Sequence, residues 1–155
     1  MEFINALISL INPSVLMFLL VGVFLGSLIG TLPGLTATMG IALLVPLTFW
    51  LDSTSGFAML IGLWNSAIWS GGISAILINT PGTPASIMTT LDGYEFTKNG
   101  KARLALDINT VGSVFGGLFS TLILILFAFP LSKVTLKFGP PEYFALGVFG
   151  LTMMI

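Results

Sequence analysis

A chain of 155 residues that is 55% hydrophobic and 7% charged, with a net charge of −1, cannot build a water-facing surface, because soluble domains carry roughly 25% charged residues. The absence of histidine and cysteine excludes imidazole acid–base chemistry, disulfides and the commonest zinc ligands. With five basic residues against six acidic there is no polybasic surface, so nucleic acid is excluded as a partner.

The charges that exist are segregated. None lies between Glu2 and Asp52, between Asp52 and Asp92, or between Asp107 and Lys133. Uncharged apolar runs longer than about 18 residues read as membrane-spanning helices. The expectation is therefore an all-α integral membrane protein with the lipid bilayer as solvent. It should have about four to five transmembrane helices and one or two re-entrant hairpins broken at Pro-Gly. Residues 1–155 read as a single transmembrane domain.

The N-terminus, "MEFINALISLINPS", has no Lys or Arg and so lacks the basic region of a secretory signal; its greasy segment is expected to be retained. A first helix is predicted from about Pro13 to Gly30. Gly22, Gly26 and Gly30 recur every fourth residue, a small-residue face that lets a second helix approach closely. "GTLPGLTATMG" interrupts the pattern. The next apolar run, Thr36 to Leu51, has Pro46 inside it and rises only about 24 Å, short of a crossing. Asp52 or Ser53 is placed to cap the following helix.

The third run, Gly56 to Ile78, is long enough to cross, but Ser70-Gly71-Gly72 reads as a breaker within it. After it, residues 92–103 form the charged patch of Asp92, Glu95, Lys98, Lys101 and Arg103, read as a polar loop. Its basic residues favour a cytoplasmic position, although Lys133 and Lys137 pull the other way. A fourth helix is predicted from Ala105 to Phe129, with small residues at Gly112, Gly116, Gly117 and Ser120. Pro130 should end it, and "SKVTLKFGPPE" should follow as a loop. The apolar residues after Glu142 are too few for a span and read as a helix cut short.

The informative stretch is "ILINTPGTPAS", residues 76–86. In hydrocarbon an unpaired peptide group costs several kcal/mol, so non-helical backbone survives only where protein or water covers it. Pro81, Gly82 and Pro84 impose such backbone. Thr83 followed by Pro84 reads as an N-cap and first helical residue, so one helix should end near Asn79 and another begin at Pro84. Its N-terminus carries partial positive charge and attracts anions, while carbonyls freed at the end of the incoming helix can hold a cation. "PGLTAT" (33–38) repeats the device of "PGTPAS" (81–86) at a constant offset of 48. Paired interruptions of this kind are the best sequence pointer to a transporter binding site. Each also has a plainer reading as an interfacial turn.

These segments, "GTLPGLTATMGIALLVP", "WNSAIWSGGISAILINTPGTPAS" and "DGYEFTKNGKARLAL", closely resemble the large membrane subunit of the tripartite tricarboxylate transporters, over the whole chain from about Val21. The resemblance implies the N-terminal portion of a longer permease in the bacterial inner membrane. It implies cation-coupled secondary uptake of citrate-like carboxylates, with a small membrane subunit and a periplasmic solute-binding protein as partners. No cofactor is implied beyond a coupling cation, Na⁺ or H⁺.

The residues expected to contact substrate are Asn79, Thr80, Gly82, Thr83 and Ser86, with Thr31, Gly34, Thr36 and Thr38 from the other interruption. Three further residues are candidates for ion coupling. Asn65 and Ser66 lie mid-helix, where they also suit interhelical hydrogen bonding. Asp107 lies near the start of the fourth helix, and intramembrane carboxylates often carry ions; with Arg103 at ion-pairing spacing it also reads as an interfacial pair. Rival readings are an ion channel, since broken helices also build filters, and a non-transporting scaffold that binds partners through its glycine faces. An enzyme ranks last, because no nucleophile–base pair can be assembled.

Overall fold

In the computed structural model the described residues, 10–153, are helical with connecting turns and no strand among them. The expectations for the N-terminal segment before Leu10 lie outside the described residues. Among the described residues three helices are long and apolar enough to cross a membrane: α1 (Pro13–Thr31), α3 (Ser53–Ile78) and α5 (Ala102–Thr135). Between them lie the shorter apolar α2 (Ala37–Thr48), a 3₁₀ turn at Pro84–Ser86 and α4 (Ile87–Lys98); α6 (Pro140–Thr152) follows. The chain forms two compact units, one up to Ser113 and one from Val114.

Local chemistry sets the helix boundaries in the first unit. The Asn12 side chain accepts from Ser14 N–H at 3.2 Å with Pro13 beside it. Thr36 accepts from Met39 N–H at 3.2 Å to start α2, and Asp52 accepts from Ser55 N–H at 3.0 Å to start α3. Each satisfies one of the orphan donors of a helix start. At the other end of α3, Asn79 takes the left-handed conformation with φ 57°, the usual way of stopping a helix when glycine is not used.

α1 and α3 run parallel along a seam of small residues. Gly22 faces the backbone of Met59, Gly26 that of Leu63 and Gly30 that of Ala67, so a Cβ at any of the three would strike a main-chain carbonyl. The four-residue glycine spacing thus becomes a backbone-to-backbone contact, the main source of helix affinity where lipid offers no hydrophobic drive. Ser66 Oγ donates across the seam to Val23 O at 2.7 Å, which is worth about 0.6 kcal/mol in a membrane protein. α2 then returns so that Thr48 lies on Gly56 near the start of α3.

Two expectations in this unit need correction. Ser70-Gly71-Gly72 does not break α3, which is continuous from Ser53 to Ile78. Each of the three residues instead makes room for a different neighbour: Ser70 for Gly30 of α1, Gly71 for Thr83, and Gly72 for Asn109 of α5. Neighbour packing overrides the glycine propensity penalty of about 1 kcal/mol. Residues 92–103 are not a loop either. Asp92, Glu95 and Lys98 lie on α4, and the turn to α5 is only Asn99–Lys101. A Lys98–Glu95 ion pair and a Lys98–Tyr94 ring contact at 5.2 Å hold the charges on helix spacing.

α5 gives its first turns to this unit. Asn109 Nδ2 donates to Trp69 O at 3.3 Å, and Trp69 Nε1 donates to Thr110 Oγ1 at 3.2 Å, tying α5 to α3. In the second unit Pro130 does not end α5, which runs on to Thr135 and takes Ser132 and Lys133 with it. Proline is tolerated inside apolar membrane helices, where local adjustment re-satisfies the freed carbonyl. Gly139 is the cap of α6, and its N–H donates to Glu142 Oε2 at 2.7 Å. Gly112, Gly116 and Gly117 of α5 meet nothing within 4 Å, so among the described residues their small-residue face has no partner.

Candidate binding junction at the two helix breaks

The second interruption does not hang off the end of α3. After Asn79 the chain doubles back until Gly82 N–H donates to Gly71 O at 3.3 Å, seven residues before the α3 terminus at Ile78, or about 10 Å along the helix axis. α4 then sets off from that level and crosses α3 at Ile76, where Gly93 packs and Thr97 Oγ1 donates to Ile76 O at 2.7 Å. The segment thus enters and leaves from one end, as a re-entrant hairpin does.

The first interruption meets it there. Gly82 is buried against the carbonyl oxygen of Gly30, the Ser74 hydroxyl and the Gly71 α-carbon. Gly30 is the penultimate residue of α1, one before Thr31. The end of one broken helix and the turn of the other are therefore in direct contact, beside a stretch of α3 that presents Ser70 and Ser74.

Of the residues expected at the site, Gly82, Thr83 and Ser86 are buried in this junction, and Thr31 lies at its edge with its hydroxyl turned back to Ser27 O at 3.0 Å. Thr36 serves α2 as its cap, and Gly34, at φ 93°, turns the chain in open space. Thr38, Asn79 and Thr80 are exposed, and the Thr80 hydroxyl bonds only Ile78 O at 3.2 Å. The junction therefore gathers the second motif and the end of α1, while the α2 side of the first motif stands apart.

Capping at the second break differs in detail from the sequence expectation. Ser86 N–H donates to Thr83 O at 3.0 Å, Thr83 N–H donates to Ser86 Oγ at 3.3 Å, and Ser86 Oγ donates back to Thr83 O at 2.8 Å. Backbone and Ser86 close the turn between them. The Thr83 hydroxyl is left out: it lies against Gly71, in a residue 2% exposed, with no hydrogen-bond partner. A buried hydroxyl without a partner costs about 1–3 kcal/mol and marks a place where a partner is expected.

The three ion-coupling candidates are not brought together. Asn65 faces outward and donates to Ile61 O at 3.0 Å within its own helix, while Ser66 is spent on the α1–α3 seam. Asp107 lies 4.0 Å from Arg103 in an exposed pair. Sequence reading also passed over Ser70, Gly71, Ser74 and Asn109. The signal was present: Gly62, Ser66, Ser70 and Ser74 recur every fourth residue, matching the glycines of α1.

Among the described residues no charged side chain enters the junction. It offers the unpartnered Thr83 hydroxyl and the N-terminal end of α4, a set that attracts negative charge without a fixed cation. Apolar helices with two interruptions converging on one helix are also found in membrane transport proteins. Residues 16–155 match the model of the tripartite tricarboxylate transporter TctA family, and the chain belongs to that family. It is also 44% identical over 145 residues to an uncharacterized 52.8 kDa protein in the TAR-I ttuC′ 3′ region of Agrobacterium vitis. That match covers 94% of this chain and 29% of the relative, so the chain spans under a third of the relative's length. No solved structure matches.

Proposed function

We propose that this chain is the N-terminal part of the permease subunit of a secondary transporter that takes up citrate-like tricarboxylates or related carboxylates. In this reading it spans the bacterial inner membrane several times, works with a small membrane subunit and a periplasmic solute-binding protein, and couples uptake to Na⁺ or H⁺. The observation that carries the proposal is the contact of the two helix breaks, Gly82 on Gly30, recessed along α3. A polycarboxylate needs positive potential that is not so strong as to prevent release. The α4 N-terminus and the unpartnered Thr83 hydroxyl supply it in place of lysine or arginine.

Family membership supports the substrate class. The scaffold reading keeps only the Gly112 and Gly116 face, because the Gly22, Gly26 and Gly30 face is already occupied by α3. The test is uptake of labelled citrate and other carboxylates by cells expressing the full-length permease, with and without the solute-binding protein. Saturable uptake that needs the binding protein and collapses with the ion gradient is expected. Conductance indifferent to the binding protein would make it a channel instead.

A further inference from the structure

α5 meets α3 along its first turns and then leaves it. Ala105 and Ile76 line one hollow, Asn109 lies over Gly72 and Thr110 bonds Trp69, so the two helices run in opposite directions. One turn further along α5 the contact is lost. Gly112 meets nothing within 4 Å, and both Gly112 and Ser113 are exposed. On α3 the face that carries Gly72 continues to Asn65, seven residues earlier, which is two turns or about 10.5 Å along the axis. The helices therefore diverge below the Trp69–Thr110 bond and leave an opening. Asn65 stands on one wall, Gly112 and Ser113 on the other.

Asn65 makes lipid a poor filling for that opening. It lies at the middle of the 26-residue α3, at the depth farthest from water in a crossing helix, beside exposed Ile61 and Trp64. Its Nδ2 donates to Ile61 O at 3.0 Å, and among the described residues its amide oxygen accepts nothing. Acyl chains carry no donor, and a polar group left unpaired in an apolar medium costs free energy. Asn is instead a common means of joining membrane helices, and glycine and serine opposite it let an incoming backbone approach closely.

We infer that this opening receives a membrane helix from the part of the permease beyond residue 155, which hydrogen-bonds Asn65. The 145 residues matched in the Agrobacterium relative are 29% of it, so more than two thirds of that relative has no counterpart here and needs surfaces to pack on. The opening is also concave. A two-fold contact between copies must be self-complementary, and a notch between two helices would meet only another notch. A tethered helix also outcompetes a separate subunit, because its effective concentration is about millimolar. The inference rests on the reading of this chain as the N-terminal part of a longer permease, and not on what that permease carries.

The experiment places the photo-crosslinking amino acid benzoylphenylalanine at position 65 of the full-length permease, in its native membrane with its partner subunits present. Irradiation should join position 65 to a peptide from beyond residue 155 of the same chain, identified by mass spectrometry, with no gain in the mass of the chain. An adduct with lipid, a doubled chain mass, the added mass of the small membrane subunit, or a link confined to residues 1–155 overturns the inference. If that variant does not insert and fold, the same probe at position 113, which is exposed, is read by the same outcomes. Asn65→Leu gives an independent sign. It should lower the melting midpoint of the full-length protein by a few degrees, because a hydrogen bond to the incoming helix is lost. A raised midpoint, the result for an amide that faces lipid, overturns the inference. The expected cross-link in a protein that takes up no carboxylate leaves the inference standing and removes only the transport reading.

Discussion

Gly82 rests on the carbonyl oxygen of Gly30 with no room for a side chain at the contact, and Gly30 is itself closed off on its other side by Ala67 and Ser70 of α3. A methyl group at Gly82 would meet the Gly30 carbonyl, the Ser74 hydroxyl at 2.8 Å and the Gly71 α-carbon at 2.9 Å. Two of these atoms are main chain, which cannot yield as a flexible side chain can. Gly82→Ala in the full-length protein should lower stability by about 1–3 kcal/mol, the usual effect of overpacking, and should abolish uptake by forcing the breaks apart. Gly34→Ala is the contrast. It suffers only the strain of its φ of 93° in open space, about 1–2 kcal/mol. Thermal melting and uptake of the two variants check the difference, and full uptake by Gly82→Ala would show that the contact is dispensable.

The Thr83 hydroxyl separates stability from function. With no partner in the folded protein, it can be replaced by a methyl group of the same shape with little loss. Thr83→Val should leave melting unchanged or raise stability by up to about 2 kcal/mol, since an unsatisfied buried group is removed. Substrate affinity should fall at the same time, seen as a raised KM for carboxylate uptake. A destabilised Thr83→Val with normal KM would mean that the hydroxyl is structural.

Much of this arrangement was readable from residues alone, and the parts that were not share one cause. The helix start at Asp52 and the stop at Asn79 were legible from local chemistry, whereas Thr36, read as a substrate contact, caps α2. The family motifs are equally local. The behaviour of Ser70-Gly71-Gly72 and Pro130 depends on what lies beside them, and intrinsic preference gives way to neighbours in an apolar helix. Asn65 and Ser66 show the limit most clearly. They are adjacent in sequence and equally polar, yet helical geometry sends one into the α1–α3 seam and the other outward. Residues 92–103 read as a loop because charge is abundant there, whereas the charges are arranged as helix-spaced pairs.

The Asp52 cap predicts a pH dependence with a definite sign. The backbone N–H of Ser55 donates to the carboxylate and holds its pKa below the ordinary value. A carboxyl whose folded pKa is depressed contributes stability above its unfolded pKa and loses it as pH falls through the folded one. The contribution should thus be complete at neutral pH and decline only at acid pH, below the usual carboxylate range. Asp52→Asn, which retains an acceptor oxygen but does not titrate, should remove that part of the acid sensitivity. Melting temperatures of the two proteins across the acid range should converge as pH falls; a gap that stays constant would rule out the titration.

Gly72 and Asn109 should behave as one unit. The Asn109 amide lies flat over Gly72, and a methyl group there would stand 2.5 Å from its oxygen and 2.8 Å from its nitrogen. Gly72→Ala should push the amide away and break its bond to Trp69 O. Asn109→Ala removes both the clash and the bond. The double variant should therefore be more stable than the sum of the single effects allows, with a coupling of about 0.5–3 kcal/mol typical of residues in contact. Additive stabilities across the four proteins would show that α5 does not register on α3 through this pair.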